Sequence, residues 1–219
     1  KLWGGNYLWS NHRHIYHVDN TEPAIGIVSP EDGDYVRGTA TIQVYWGDTY
    51  PENCTLYVDG VYVAHSSETG NISFPLDTSP WGDGEHTVEV VAYDVLGRSS
   101  SDSIGIRIDN TAPTAHIDSP SSGDFLRGVV SVSISWNDTP YPDRCVLYIN
   151  GTPVRTWNTT GSFVFPWDTL GWGDGIYNVT LVAYDLAGNR NASTVLVVVD
   201  NTKPVVSVGG VVDGEVLGG

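Results

Sequence analysis

Asp77, Asp83, Asp109, Asn110, Asp138 and Asp185 are the side chains of this 219-residue sequence whose types and placement suit a metal ion. Their carboxylate and amide oxygens are hard donors of the class that calcium takes, so calcium is the one cofactor expected. The competing use of the same residues is structural, because Asp and Asn also cap turns through their own backbone. A second chemistry is carried by asparagine. Asn53, Asn71, Asn137, Asn150, Asn158, Asn178 and Asn191 stand in N-x-[ST] with x other than proline, seven of the thirteen asparagines. The Ser and Thr content gives about two by chance, so N-linked glycans are an expected decoration, heavier in the second half of the chain. The bland source of the same pattern is the Thr and turn Asn that β-proteins favour.

Other candidates offer less. His12 and His14 would share one face of a strand, but His17 points the other way and no Cys or Glu completes a tetrahedral zinc set, so an interface strand is the reading preferred there. Trp157 has a polar counterpart, Ser66, in the pattern described below, which makes it a candidate sugar platform or subunit contact, with Trp3, Tyr7 and Trp9 as others. There is no serine elbow and no His beside a nucleophile, and the acids recur as turn-formers do, so no enzyme is expected. The formal charge of -16 disfavours a nucleic-acid partner. No apolar run is long enough to span a membrane. With no methionine and no visible signal peptide, the chain reads as a processed or excised piece of a longer precursor.

The element that must position all of these is a repeat. Asp19-Asn20-Thr21-Glu22-Pro23 returns as Asp109-Asn110-Thr111-Ala112-Pro113 and as Asp200-Asn201-Thr202-Lys203-Pro204, at spacings of 90 and 91 residues. Between them Asp48-Thr49 returns as Asp138-Thr139, and Cys54 to Gly60 returns as Cys145 to Gly151. Trp81-Gly82-Asp83-Gly84 returns as Trp172-Gly173-Asp174-Gly175, and Val91 to Asp94 as Val182 to Asp185. The expected division is a terminal segment at 1–18, domains at 19–109 and 110–200, and a further partial unit at 201–219.

Apolar residues alternate along Thr41 to Trp46, Ser131 to Trp136 and His86 to Tyr93, the period of strands with one wet face. Gly and Pro punctuate the chain at short intervals and no helical period is present. Asp59-Gly60 and Asn150-Gly151 are hairpin turns by type. Each repeat therefore reads as an all-β sandwich of about seven strands, with the matched tryptophans at 46, 81, 136 and 172 in its core and corners. Cys54 and Cys145 fall on inward faces and are expected as buried free thiols, an intermolecular bridge being the alternative.

These motifs, with the stretch Ser29 to Gly38 that returns as Ser119 to Gly128, resemble the bacterial and archaeal immunoglobulin-like domains found in tandem on cell-surface proteins. The resemblance covers nearly all of residues 19–219 and implies tandem immunoglobulin-like β-sandwiches, outside the cell, with a structural role. At the ends, Ile15 and Val18, and Val206, Val208 and Val211, are the apolar residues of orphan strands. Either the chain was cut from a longer array, or these strands pair between copies to make a head-to-tail filament. A filament or surface-array subunit is the function expected. An adhesin stalk, or a carbohydrate-binding or spacer module of a larger secreted protein, is the competing class.

Overall fold

The computed structural model describes residues 18–207. In the first repeat the strands are β1 (Ala24–Ser29), β2 (Tyr35–Val36), β3 (Thr39–Gly47), β4 (Pro51–Val58), β5 (Val61–Ser66), β6 (Gly70–Asp77), β7 (Gly84–Asp94) and β8 (Ser99–Ile108). The second repeat follows with β9 (Thr114–Ser119), β10 (Phe125–Leu126), β11 (Val129–Asn137), β12 (Pro142–Ile149), β13 (Thr152–Trp157), β14 (Gly161–Asp168), β15 (Gly175–Asp185) and β16 (Arg190–Val199). A 3-10 turn, Thr169–Gly171, precedes β15.

Both repeats are sandwiches of a three-stranded and a five-stranded sheet. The orders are β1-β3-β6 with β2-β8-β7-β4-β5, and β9-β11-β14 with β10-β16-β15-β12-β13. The count of eight, where periodicity gives about seven, arises because the first strand breaks. After β1 the chain turns at Gly33, and after β9 at Gly123, at φ of 85 and 92, and re-enters on the other sheet as a two-residue strand. In the second repeat that short strand, β10, runs parallel to β16, while the other described pairings are antiparallel.

Alternation places the core. Val88, Val90 and Ala92 of β7 are buried while Thr87, Glu89 and Val91 face outward, and β15 repeats the pattern with Val179, Leu181 and Ala183. Ile42, Val44 and Trp46 on β3 meet Cys54, Leu56 and Val58 on β4, all fully buried. In the second repeat Val132, Ile134 and Trp136 pack with Cys145, Leu147 and Ile149. Trp167, which the repeat matches to Leu76, fills the same core and meets Trp172 and Tyr177 edge to face at ring separations of 5.7 and 5.9 Å. The hairpin turns have positive φ at both central residues, Asp59 and Gly60 in one repeat and Asn150 and Gly151 in the other, as two-residue turns matched to strand twist require.

By compactness the chain forms two units. Among the described residues one takes 18–34, 39–78 and 85–107, and the other takes 35–38, 79–84 and 108–207. The segments around Gly38 and Asp83 join the second unit because they grip the Asp109-Asn110-Thr111 phrase, as described below.

Burial pushes the Cys54 thiol up to about 11 and the Cys145 thiol up to about 12, since a thiolate would lose its hydration in the core. Neither thiol is expected to react with a disulfide reagent at neutral pH in the folded chain, and both are expected to react once guanidinium unfolds it. A thiol titrating rapidly before denaturant is added would contradict this packing. Leu56→Ala and Leu147→Ala, each at a fully buried position, are expected to lower stability by about 2–5 kcal/mol in denaturant titrations.

Candidate functional site

Two repeated phrases of the sequence bind each other. The Asp83 carboxylate accepts hydrogen bonds from the Asn110 backbone N–H at 2.7 Å and from the Thr111 hydroxyl at 2.5 Å. Asp174 accepts from Asn201 N–H at 2.7 Å and from the Thr202 hydroxyl in the same way. The linker asparagine then turns its own Oδ1 to a glycine amide, Asn110 to Gly38 at 2.8 Å and Asn201 to Gly128 at 3.2 Å. Both glycines have positive φ, 59 and 69, where a side chain would be strained.

The clamped phrase presents its leading aspartate to a cluster. Within the second unit Asp109, Asp138 and Asp185 each bring a carboxylate oxygen within 4.8 Å of the others, and all three are buried. Asp109 follows β8, Asp138 follows β11, and Asp185 ends β15, so positions at or just past the ends of three strands supply the group. Two of the three carboxylates commit Oδ1 to their own turns: Asp109 accepts from Thr111 N–H at 3.1 Å and Asp185 from Asn189 N–H at 2.7 Å. Their Oδ2 atoms, and that of Asp138, are buried without a hydrogen-bond partner. At that separation and an effective dielectric near 20, two full charges repel by roughly 3 kcal/mol. Burial, and then the charges of Asp185, Asp138 and Asp83, push Asp109 up to about 6. Burial chiefly, with the Asp185 charge, raises Asp138 as well.

The first unit holds the equivalent group, Asp19, Asp48 and Asp94, again within 4.8 Å. Asp19 Oδ1 accepts from the Thr21 hydroxyl at 2.7 Å and N–H at 2.9 Å, which hold its carboxyl below the usual range. Asp48 Oδ1 accepts from Tyr50 N–H at 2.8 Å, and Asp94 Oδ1 from Leu96 and Arg98 N–H at 2.8 and 2.9 Å. Asp19 Oδ2 and Asp94 Oδ2 are buried without hydrogen-bond partners. One residue separates the two groups in charge. Arg98 places Nη1 3.8 Å from both Asp19 and Asp94. Its counterpart in the repeat, Asn189, is neutral, buried, and donates through Nδ2 to the Asp109 carbonyl at 2.9 Å. Arg37 donates to Asn189 Oδ1 at 3.2 Å, and no ion pair reaches Asp109, Asp138 or Asp185 from the described residues.

Of the six metal candidates, the structure gathers Asp109, Asp138 and Asp185. Asp83 and Asn110 stand beside them as linker clamps with their side-chain oxygens already engaged, and Asp77 ends β6 as an exposed residue outside both clusters. Asp19, Asp48 and Asp94 were not singled out as ligands, although the phrases Asp19-Asn20-Thr21, Asp48-Thr49 and Val91 to Asp94 all match the second repeat. Applying the repeat to the ligand set would have found them.

Six of the seven sequon asparagines are exposed, namely Asn71, Asn137, Asn150, Asn158, Asn178 and Asn191. Asn53 is half-buried, and its Oδ1 accepts from the hydroxyl of its own sequon Thr55 at 3.1 Å. Asn150 Oδ1 accepts from Asn178 N–H at 2.8 Å, tying the hairpin turn to β15. Trp157 is half-buried, stacked on Phe163 at 5.3 Å and packed against the second core, so little of a flat platform remains. Val18 and Val206 are exposed. Ile15, Val208 and Val211, with Trp3, Tyr7, Trp9, His12, His14 and His17, lie outside the described residues.

A family model described as a bacterial Ig domain matches residues 23–90 and again 113–181. No curated protein sequence matches the chain. Among solved structures, the fibronectin(III)-like modules of CbhA from Clostridium thermocellum are similar at a TM-score of 0.52 and 14% identity, over 81% of this chain and 95% of theirs. An I-band fragment of titin is similar at 0.53 and 14%, over 82% of this chain and 66% of its own. At such identities the likeness is one of fold.

The clamp has a pH signature. The Thr202 hydroxyl first, and then the Asn201 N–H, hold the Asp174 carboxyl below its ordinary value of 3.8. A depressed folded-state pKa contributes stability above the unfolded value and loses it as pH falls through the folded one. Asp174→Asn is therefore expected to lower the urea midpoint at pH 7, with the difference shrinking once pH falls below about 4. An equal penalty at both pH values would count against the charged clamp.

Proposed function

The chain belongs to the bacterial Ig-domain family, and from that premise we propose that it is a non-catalytic structural segment of a surface or secreted protein, acting outside the cell. Among the described residues no helix is long and apolar enough to cross a membrane. The observation that carries the reading is the third linker phrase. Asp200-Asn201-Thr202 is held by Asp174 and Gly128 with the same hydrogen bonds that hold Asp109-Asn110-Thr111. Each sandwich thus fixes the linker that leaves it, which is what a spacer of serial domains needs and what an isolated binding domain does not.

One observation fits both the spacer and the narrower reading of a filament or surface-array subunit. Val206 occupies the position of Ala115, which is buried as an inward residue of β9, yet Val206 is 85% exposed. Val205 beside it is 94% exposed. A strand-like sequence with an uncovered inward position fits a sheet supplied either by a following repeat or by another copy of the chain. The exposed sequons of the second repeat support a glycosylated outer surface.

The test is fractionation of native cells followed by mass spectrometry of the polypeptide and electron microscopy of the extracellular material. The structural-segment reading expects peptides of this sequence in the surface or secreted fraction, with added mass at the exposed sequons. Ordered polymers made of this chain alone would establish the filament and make strand exchange the thing to look for, and peptides running on into further domains would establish the spacer. Recovery from the cytosol only would overturn the extracellular assignment.

A further inference from the structure

We propose that each repeat binds a calcium ion, at Asp19, Asp48 and Asp94 in the first and at Asp109, Asp138 and Asp185 in the second, and that the second site is the tighter. The proposal goes beyond the spacer reading, since a spacer needs no ion.

Five of the six carboxylates are buried, at 0 to 6% exposure, and each of those five leaves Oδ2 without a hydrogen-bond partner. Buried polar atoms in native proteins are nearly always satisfied, and a carboxylate oxygen left bare is the most demanding of them. Turn-capping explains the Oδ1 atoms and leaves the Oδ2 atoms unexplained. A divalent cation accounts for them, and in each set one carboxylate oxygen per residue lies no farther from the others than the span across a calcium ion at about 2.4 Å per bond. Three carboxylates with one oxygen each supply three of the six to eight oxygens calcium takes, and water can complete the set. Magnesium, which keeps several waters and holds a stricter octahedron, fits a buried three-carboxylate group less well. No sulfur or imidazole is in either set, which disfavours zinc and copper.

The order of affinity follows from Arg98. Its guanidinium stands 3.8 Å from two of the three carboxylates in the first set, occupying part of the attraction an ion would use, and it also donates to the Thr21 carbonyl at 3.5 Å and to Asn20 Oδ1 at 3.3 Å. Asn189 at the matched position adds no charge, and Asp83 adds a fourth carboxylate near the second set.

The test is calorimetric titration of the full chain, stripped with a chelator, with calcium chloride in salt near physiological strength so that diffuse binding to a protein of charge -16 is screened. Two saturable sites are expected, with a rise in melting temperature as they fill. Asp138→Asn is expected to remove the tighter site and Asp48→Asn the weaker. In chelator, Asp138→Asn is expected to melt no lower than the parent, because it relieves repulsion, a result that loss of a merely structural residue would not give. Arg98→Asn is expected to tighten the weaker site by roughly tenfold. Glu68→Gln, at an exposed residue that belongs to neither set, is expected to change nothing. Absence of saturable binding at millimolar calcium, retention of both sites in Asp138→Asn, or an equal loss in Glu68→Gln would each overturn the proposal. Were Asp138→Asn not to fold, the parent protein still decides: a melting temperature identical in chelator and in calcium would refute it.

Discussion

The structure depends on one exchange of hydrogen bonds, between the aspartate of each Trp-Gly-Asp-Gly turn and the Asp-Asn-Thr phrase that leaves the sandwich. Asp83 and Asp174 each accept a main-chain N–H and a hydroxyl, and the linker asparagine answers with its Oδ1 on a glycine amide. Charge-assisted bonds of this kind are about twice as strong as neutral ones. They set where the linker leaves its strand, and hence where the residues after Pro113 begin β9. They also fix the direction in which the leading aspartate presents its carboxyl. Beside the clamp, Asp109 is fully buried next to two other carboxylates.

That placement makes turn-capping and the proposed metal binding compatible uses of the same residues. Within the clusters the two uses divide the atoms of the same residue. Oδ1 of Asp19, Asp48, Asp94, Asp109 and Asp185 caps a turn through nearby N–H groups, and such bonds hold the side chain in one rotamer. The fixed rotamer then orients Oδ2. Capping is thus the means by which a set of carboxylates is preorganised, and the cost of assembling them is distributed over turns the sandwich needs in any case.

The sandwich was legible because its signals are periodic and doubled. Alternation through Val88, Val90 and Ala92, and the Asp59-Gly60 and Asn150-Gly151 turns, name the inward faces and the hairpins without further help. The two-residue strands β2 and β10 were not legible, since two residues carry no period and their pairing is set by the turn at Gly33 or Gly123. Trp167 escaped notice because the repeat matches it to Leu76, and only the sheet shows that both fill the same inward position. The site was half legible. Asp109, Asp138 and Asp185 could be proposed from topology, whereas Asp77 and Asp83 share their loop but face other duties. Separating them required side-chain direction, which spacing does not encode.

The repeats also show how one frame can hold unequal chemistry. Backbone, turns and acidic sets match between the two, and Thr21 and Thr111 bind their aspartates through the same N–H. Against this constancy the position of Arg98 and Asn189 is free to vary, because the contact each set needs from that residue is made by its main-chain N–H, donated to Asp94 or Asp185 whatever the side chain. The side chain can then carry a positive charge or none. In the first repeat a guanidinium offsets part of the buried negative charge, while in the second nothing among the described ion pairs does, so burial and neighbouring carboxylates lift Asp109 well above the ordinary carboxylate range. A single side chain beside a fixed main-chain contact is therefore enough to change the charge that faces three carboxylates, one guanidinium in the first repeat and none in the second.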